Sequence, residues 1–386
     1  MSNLLDYIRW RGDLSFKAAP FCEVDGLIFT QLSFLDLDAV FSPDEEDSLS
    51  ALEKKFFTHF DRATYRLGIY FPVAMPELLT LCAQSERFRD TRLLDLEIVR
   101  DPEKKIQFAA MTFLLPDKTL FVAYRGTDDT LYGWYESLSL GVYPELPIHA
   151  LAKAYLARVT AKYPFRRLRI GGHSKGGHLA LYAALSLDKR YHRRILAVYN
   201  IDGPGFYEDI CKGEAYDALA PLIFSVTPYI SIVGALLNRH GTVDIVASDG
   251  EGVFQHDVFN WHVEGTALVR IPDRSAESYQ FEQSMKAWLE KMSDDDKVKT
   301  LDTLYKLLTS AGATTISEIS EDKLNSALQF GKTLLTLDKE TRTAVSRAVM
   351  LLLKERKNAI RQQKEAQKQQ KKAKKDSDAT SAESES

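Results

Sequence analysis

The stretch IGGHSKGGHLALYAAL, residues 170–185, limits the fold more tightly than any other part of the chain. An apolar run, RLRIGG, reads as a short strand and gives way at once to HLALYAALSL, which reads as a helix. Between them lies Gly172-His173-Ser174-Lys175-Gly176, a G-x-S-x-G pattern. A serine lifted off the end of a sheet on such a turn needs glycine two positions to either side, because larger side chains there would collide. Gly171, Gly177 and Ala180 add small residues that let the helix pack close to the sheet. A phosphate loop needs G-K-[ST] in that order, whereas this chain has S-K-G. The plain alternative is a glycine turn carrying an idle serine, and the surrounding chain has to decide between them.

That chain reads as an α/β protein. IQFAAMTFLL and LFVAYRG, separated by a turn at Pro116-Asp117, form a strand hairpin. A helix runs from about Ile148 to Lys162, with Leu151, Tyr155 and Val159 on one face. RILAVYNI, LIFSVTP and TVDIVAS follow as further strands. Strands alternating with helices imply a mainly parallel sheet with right-handed crossovers. From about Ser275 only helical patterns remain: Val298, Leu301, Leu304 and Leu308 share one face, and Val345, Val349 and Leu352 another. The expected organisation is a lead-in over residues 1–95 packed on the main domain, an α/β core over 96–272, a helical region over 273–355, and a charged disordered tail over 356–386.

Apolar residues make up 45% of the 386, enough for a substantial core, and the net charge of −4 argues against a general nucleic-acid binder. The charge is uneven: residues 354–375 hold ten Lys or Arg against two Glu. That segment reads as a solvated helix extension, with peripheral contact to an anionic membrane as the alternative. Cys22, Cys82 and Cys211 are widely spaced, which argues against a disulfide framework and a zinc site. MSNLLDYIRWRGDL lacks the order of a signal peptide, and the apolar stretch around Ile230 to Leu237 is too short to span a bilayer. The expectation is a cytoplasmic protein without a metal or organic cofactor.

Upstream of Ser174, LFVAYRGTDDTLYGWYESL carries a second clue. A strand ending in R-G-T, then a Trp, then G-H-S-x-G resembles the class 3 lipases. The openings NLLDYI and FCEVDGL, and the later DGPGF and QHD, are similar to a bacterial family of lipase-like proteins. The resemblance covers about residues 1 to 270 and implies an α/β-hydrolase fold, with a serine hydrolase acting on an acyl ester such as a lipid. In such lipases the residue after R-G supplies an oxyanion donor. Carried over, Thr127 gives its backbone N–H together with its hydroxyl, and Lys175 gives a second N–H from just after the serine. The plain reading of Arg125 is a strand-end charge paired with Asp128 or Asp129.

In this fold the acid and then the histidine follow the serine in chain order. Three downstream histidines are candidates. His240 sits in a polar turn, His256 follows a strand and a Gly-bearing turn, and His262 lies in an extended segment. The Q-H-D of the resembling family falls on Gln255-His256-Asp257 and favours His256. His173, beside the serine, reads as a packing residue. Class 3 lipases place their Asp after the strand that follows the DGPGF-like segment, but here that region, SVTPYISIVGALL, holds no carboxylate. Asp202, at the end of YNID, is then the best acid candidate and Asp244 the second, with a turn-capping role as the bland reading of Asp202. Besides the hydrolase, a binding or scaffold protein on a hydrolase fold that has lost turnover fits the same pattern.

Overall fold

The computed structural model describes residues 1–42, 47–68, 71, 73–207, 212–237 and 241–384; the side chains of residues 324, 325, 327, 334, 335 and 363–384 are outside that description. Its centre is an eight-stranded sheet. In chain order the strands are β1 (Arg92–Asp101), β2 (Ile106–Leu114), β3 (Leu120–Tyr124), β4 (Leu168–His173), β5 (Ile195–Ile201), β6 (Ile223–Pro228), β7 (Asp244–Val246), β8 (Val263–Glu264), β9 (Ala267–Leu268) and β10 (Arg270–Ile271). The sheet order is β1-β2-β3-β4-β5-β6-β7-β10, while β8 and β9 pair separately. From β3 to β7 the strands are parallel, and β1, β2 and β10 add antiparallel edges.

The β2–β3 hairpin pairs Leu114 with Leu120 and Ala110 with Tyr124. Its turn closes as predicted around Pro116-Asp117: Thr119 N donates to Asp117 Oδ1 at 3.0 Å, and Leu115 N to Thr119 O at 2.9 Å. Along β3 every side chain is buried, as a strand covered on both faces requires. Leu120, Val122 and Tyr124 point into one core, and Phe121 and Ala123 into the other.

Helices cover both faces. On one lie α1 (Leu4–Arg11), α2 (Glu23–Leu32), α3 (Leu49–His59) and α4 (Met75–Gln84), which bury Leu4, Ile28, Phe29, Leu52 and Leu79 against Phe113, Phe121 and Tyr199. NLLD starts α1 by reciprocal capping: Asn3 Oδ1 accepts from Leu5 N and Asp6 N, and Asp6 Oδ2 accepts from Asn3 N. Arg87 and Asp25, both fully buried, fasten this layer at 2.5 Å. The other face carries α6 (Pro147–Lys162) and α7 (Lys175–Ser186), with Tyr155, Leu156, Leu179 and Ala183 against Ile170 and Val198. Between β3 and α6 lies α5 (Leu131–Ser139), and α8 (Glu214–Leu219) precedes β6.

The rest is helical: α9 (Ala276–Lys291), α10 (Asp294–Thr309), α11 (Ile316–Glu321), α12 (Lys323–Thr336) and α13 (Lys339–Ser384). The apolar faces expected here are only partly buried. Leu301 is inside, whereas Leu304 and Val349 are exposed. The reason lies in α13, whose inward residues are Ala344, Ala348 and Ala359. Small side chains let α9 approach closely, so Trp288 Nε1 of α9 donates to Ala348 O of α13 at 2.8 Å. Helical backbone continues through the Lys- and Gln-rich segment, in keeping with its reading as a solvated helix extension, and runs on to Ser384, through the stretch expected as a disordered tail; Ala, Gln, Lys and Glu all favour helix. Among the described residues no helix is long and apolar enough to cross a membrane.

Candidate active site

The sequence of β4 runs straight into Ser174, whose backbone sits at φ +60°, ψ −132° before α7 begins. Such a conformation costs a non-glycine residue about 1–3 kcal/mol, and its neighbours make it possible. A Cβ on Gly172 would lie 2.2 Å from the carbonyl of Gly176, and one on Gly176 would lie 2.1 Å from Tyr124 O. Only glycine fits at either position. Ser174 N donates to Ile201 O at 2.9 Å, tying the turn to the end of β5.

Asp202 is the residue after that carbonyl. It too has a positive φ, +45°, is fully buried, and donates its N–H to Val226 O at 2.8 Å. One carboxylate oxygen accepts from Ser231 Oγ at 2.6 Å. The other accepts from His256 Nδ1, also at 2.6 Å. A carboxylate can only accept, so Nδ1 carries the hydrogen and Nε2 keeps its lone pair free to take a proton.

His256 closes the 3₁₀ turn Gly252–His256. The turn is anchored by Gln255, whose side chain accepts from Ile230 N and whose carbonyl accepts from Trp261 Nε1, each at 2.7 Å. The His256 ring lies against the His173 ring, with centroids 4.4 Å apart. His173 is thus more than packing on a neighbouring strand: it brings the His256 imidazole over the residue preceding Ser174. Burial holds the His173 pKa well below its ordinary value, so that ring is neutral. Phe34 packs against its edge at 5.8 Å.

The other candidates lie elsewhere. Asp244 opens β7 and pairs with Arg270 at 2.7 Å. His262 Nε2 lies 2.7 Å from Asp249 Oδ1. Asp257 turns away from His256 to accept from Phe259 N at 2.9 Å, and burial pushes its carboxyl up to about 6. His240 is outside the described residues.

After β3 the chain passes against the end of β4, so closely that a Cβ on Gly126 would lie 2.7 Å from His173 O. The Thr127 hydroxyl contacts Ser137 Oγ at 2.5 Å. Ser137 in turn donates to Gly133 O at 2.9 Å, so the Thr127 hydrogen is directed at Ser137. Among the described residues the backbone N–H groups of Thr127 and Lys175 have no acceptor. Such unpaired amides are what an oxyanion site requires. Among the described residues Arg125 makes no ion pair with Asp128 or Asp129, because its buried guanidinium is taken up by the backbone just after α2. It donates to Ser33 O and Leu35 O at 2.6 and 2.5 Å, with Asp36 at 3.8 Å.

The side chain of Lys175 carries a network that sequence reasoning missed. Its buried ammonium donates to Gln107 O at 2.8 Å, Gln107 Oε1 at 2.6 Å and Glu136 Oε2 at 2.5 Å. Burial raises the Glu136 carboxyl above its usual range, with Lys175 pulling the other way. Gln107 Oε1 also receives Asp128 N at 3.4 Å. The residues after Thr127 and after Ser174 are therefore joined through one carboxamide. Beside this loop lies a cavity of about 230 Å³, with Phe34, Leu67, Phe71 and Arg66 among its walls. Among the described residues no three His, Cys, Asp or Glu side chains could hold a metal ion.

A parallel-centred sheet between helical layers, a serine on a strained strand-to-helix turn, and an imidazole–carboxylate pair beyond the ends of the following strands together define an α/β-hydrolase fold. The chain belongs to the Mbeg1-like family, a lipase-like family whose model matches residues 82–306. Among solved structures it is similar to one described as the crystal structure of M37 lipase, at 13% identity and a TM-score of 0.32, over 55% of this chain and 68% of that one. No curated protein matches it.

Proposed function

We propose that the protein is a serine hydrolase that cleaves acyl esters. Ser174 attacks the acyl carbonyl, His256 takes its proton through Nε2, and Asp202 holds the imidazole in the required tautomer. The backbone N–H groups of Thr127 and Lys175 receive the developing oxyanion. The observation that carries this reading is the 2.6 Å bond from His256 Nδ1 to Asp202, in a ring seated on His173 beside the strained Ser174. The substrate is a lipid or another acyl ester, and the reaction needs no cofactor.

Hydrolysis of short- and medium-chain p-nitrophenyl esters tests the proposal. Wild type should turn over, and Ser174→Ala and His256→Ala should not. Absence of turnover from wild type across the series favours a binding protein on the same fold. We place the enzyme in the cytoplasm, with α13 available to an anionic membrane. Its exposed Val349, Met350 and Leu353 lie ahead of the basic run. Salt-sensitive binding to vesicles containing phosphatidylserine, lost on truncation at Lys364, tests that contact.

A further inference from the structure

The Asp202 carboxylate has a second partner besides His256, and that partner is held by the C-terminal helices. Ser231 Oγ donates to Asp202 Oδ1 at 2.6 Å, and both residues are buried. Ser231 lies in the loop after β6, and the first turn of α9 grips its backbone. Ser278 Oγ donates to Ser231 O at 3.1 Å and faces Ser231 N at 3.4 Å. Ser275 N donates to Tyr229 O at 2.9 Å. Ser275 is also the N-cap of α9, its hydroxyl accepting from Ser278 N at 3.0 Å. A continuous chain of hydrogen bonds thus runs from α9 through Ser278, Ser231 and Asp202 to His256.

We propose that Ser231 is a positioning residue for the Asp202–His256 pair, itself fixed by Ser278, so that the C-terminal helical region sets how Asp202 grips the imidazole. The inference rests on the serine-hydrolase reading above. Its physical content is twofold. Donors on both carboxylate oxygens fix the carboxylate plane, so Oδ2 meets Nδ1 at one angle. A donor to Oδ1 also takes up part of the carboxylate's negative charge, which moderates its pull on a protonated His256. Besides Asp202, the His256 ring meets the neutral His173, while Asp257, next to it in the chain, is turned to Phe259 N.

The test uses full-length protein and the pH dependence of Ser174 labelling by a fluorophosphonate, with kcat and KM on p-nitrophenyl acetate. Ser231→Ala should lower the plateau labelling rate and kcat by about 10-fold and leave KM unchanged. It should move the acid limb of the profile up by about half a pH unit, because the freed carboxylate favours imidazolium more strongly. Ser278→Ala should act in the same direction but more weakly, and Ser231→Thr, which keeps the hydroxyl, should restore most of the rate. Wild-type rate and limb in Ser231→Ala overturn the proposal. So does a slower variant whose limb has not moved and which Thr fails to rescue, since that marks packing alone. Should Ser231→Ala not fold, an unaltered profile in Ser278→Ala refutes the link to α9. If wild type itself is not labelled, the hydrolase reading falls and takes this one with it; labelling with an indifferent Ser231 refutes this one only.

Discussion

Lys175 Nζ and Glu136 Oε2 lie 2.5 Å apart beside the Ser174 turn, with their side chains 1% and 3% exposed. An ion pair this deep is tolerable only because every donor has an acceptor, and Gln107 supplies the rest. It joins α5, β2 and the first residue of α7 at the point where both proposed oxyanion amides emerge.

Removing one partner should therefore cost more than removing both. Glu136→Gln leaves an ammonium buried without its counter-charge and should lower stability by about 3–5 kcal/mol in urea unfolding. The double variant Lys175→Met with Glu136→Leu should recover most of that loss. A single variant costing under about 1 kcal/mol would show that the pair does not hold this junction.

Parts of this arrangement were legible from the chain and parts were not. The turn at Ser174 announces itself because backbone crowding at Gly172 and Gly176 admits only one residue type, and that constraint is local. The resemblance drew attention to Gln255-His256-Asp257, and Asp202 came forward because SVTPYISIVGALL holds no carboxylate and Asp202 ends a strand legible in sequence. The Lys175 network was hidden because Gln107 and Glu136 sit on other elements, 68 and 39 residues away. Nothing near Arg125 in sequence revealed that its acceptors are Ser33 and Leu35, across the sheet in the N-terminal layer. Leu301 is covered and Leu304 is exposed, a difference beyond the reach of periodicity, which says which residues share a face, not whether a partner covers them.

The Thr127 hydroxyl is engaged with Ser137, so it should not be the oxyanion donor. Thr127→Ala, which keeps the backbone N–H, should change ester kcat by no more than about 3-fold. A fall of tenfold or more at unchanged stability would place the hydroxyl in the site.

Acid sensitivity should arise from a histidine pair behind the Asp202 loop. Leu146 N donates to His149 Nδ1, His149 Nε2 meets His178 Nε2, and His178 Nδ1 donates to Gly205 O, each at 2.8 Å. That chain requires both rings neutral, and burial lowers His149 to about 4 and His178 to about 3. The unfolded chain binds these protons near pH 6.5 and the folded one does not. Their stabilisation is therefore complete above about pH 6.5 and lost as pH falls toward 4, on the order of 3 kcal/mol for His149. Urea unfolding of His149→Gln should show a shallower decline over this window than wild type. Parallel curves would mean that the pair does not titrate as its burial demands.

Asp202 and Asp244 should separate cleanly. Asp202→Asn preserves shape but favours the wrong imidazole tautomer and should cost up to ~10⁴ in kcat. Asp244→Asn loses only a half-exposed pair with Arg270 and should stay within about twofold of wild type. A reversed pattern would move the acid to β7.

The central claim is that Ser174 is an activated nucleophile, and a fluorophosphonate probe reads this without knowledge of the natural substrate. Intact-mass measurement of treated wild type should show one adduct, mapped by peptide analysis to Ser174, and Ser174→Ala should show none. An unmodified wild type, or an adduct that persists undiminished in Ser174→Ala, would contradict the account.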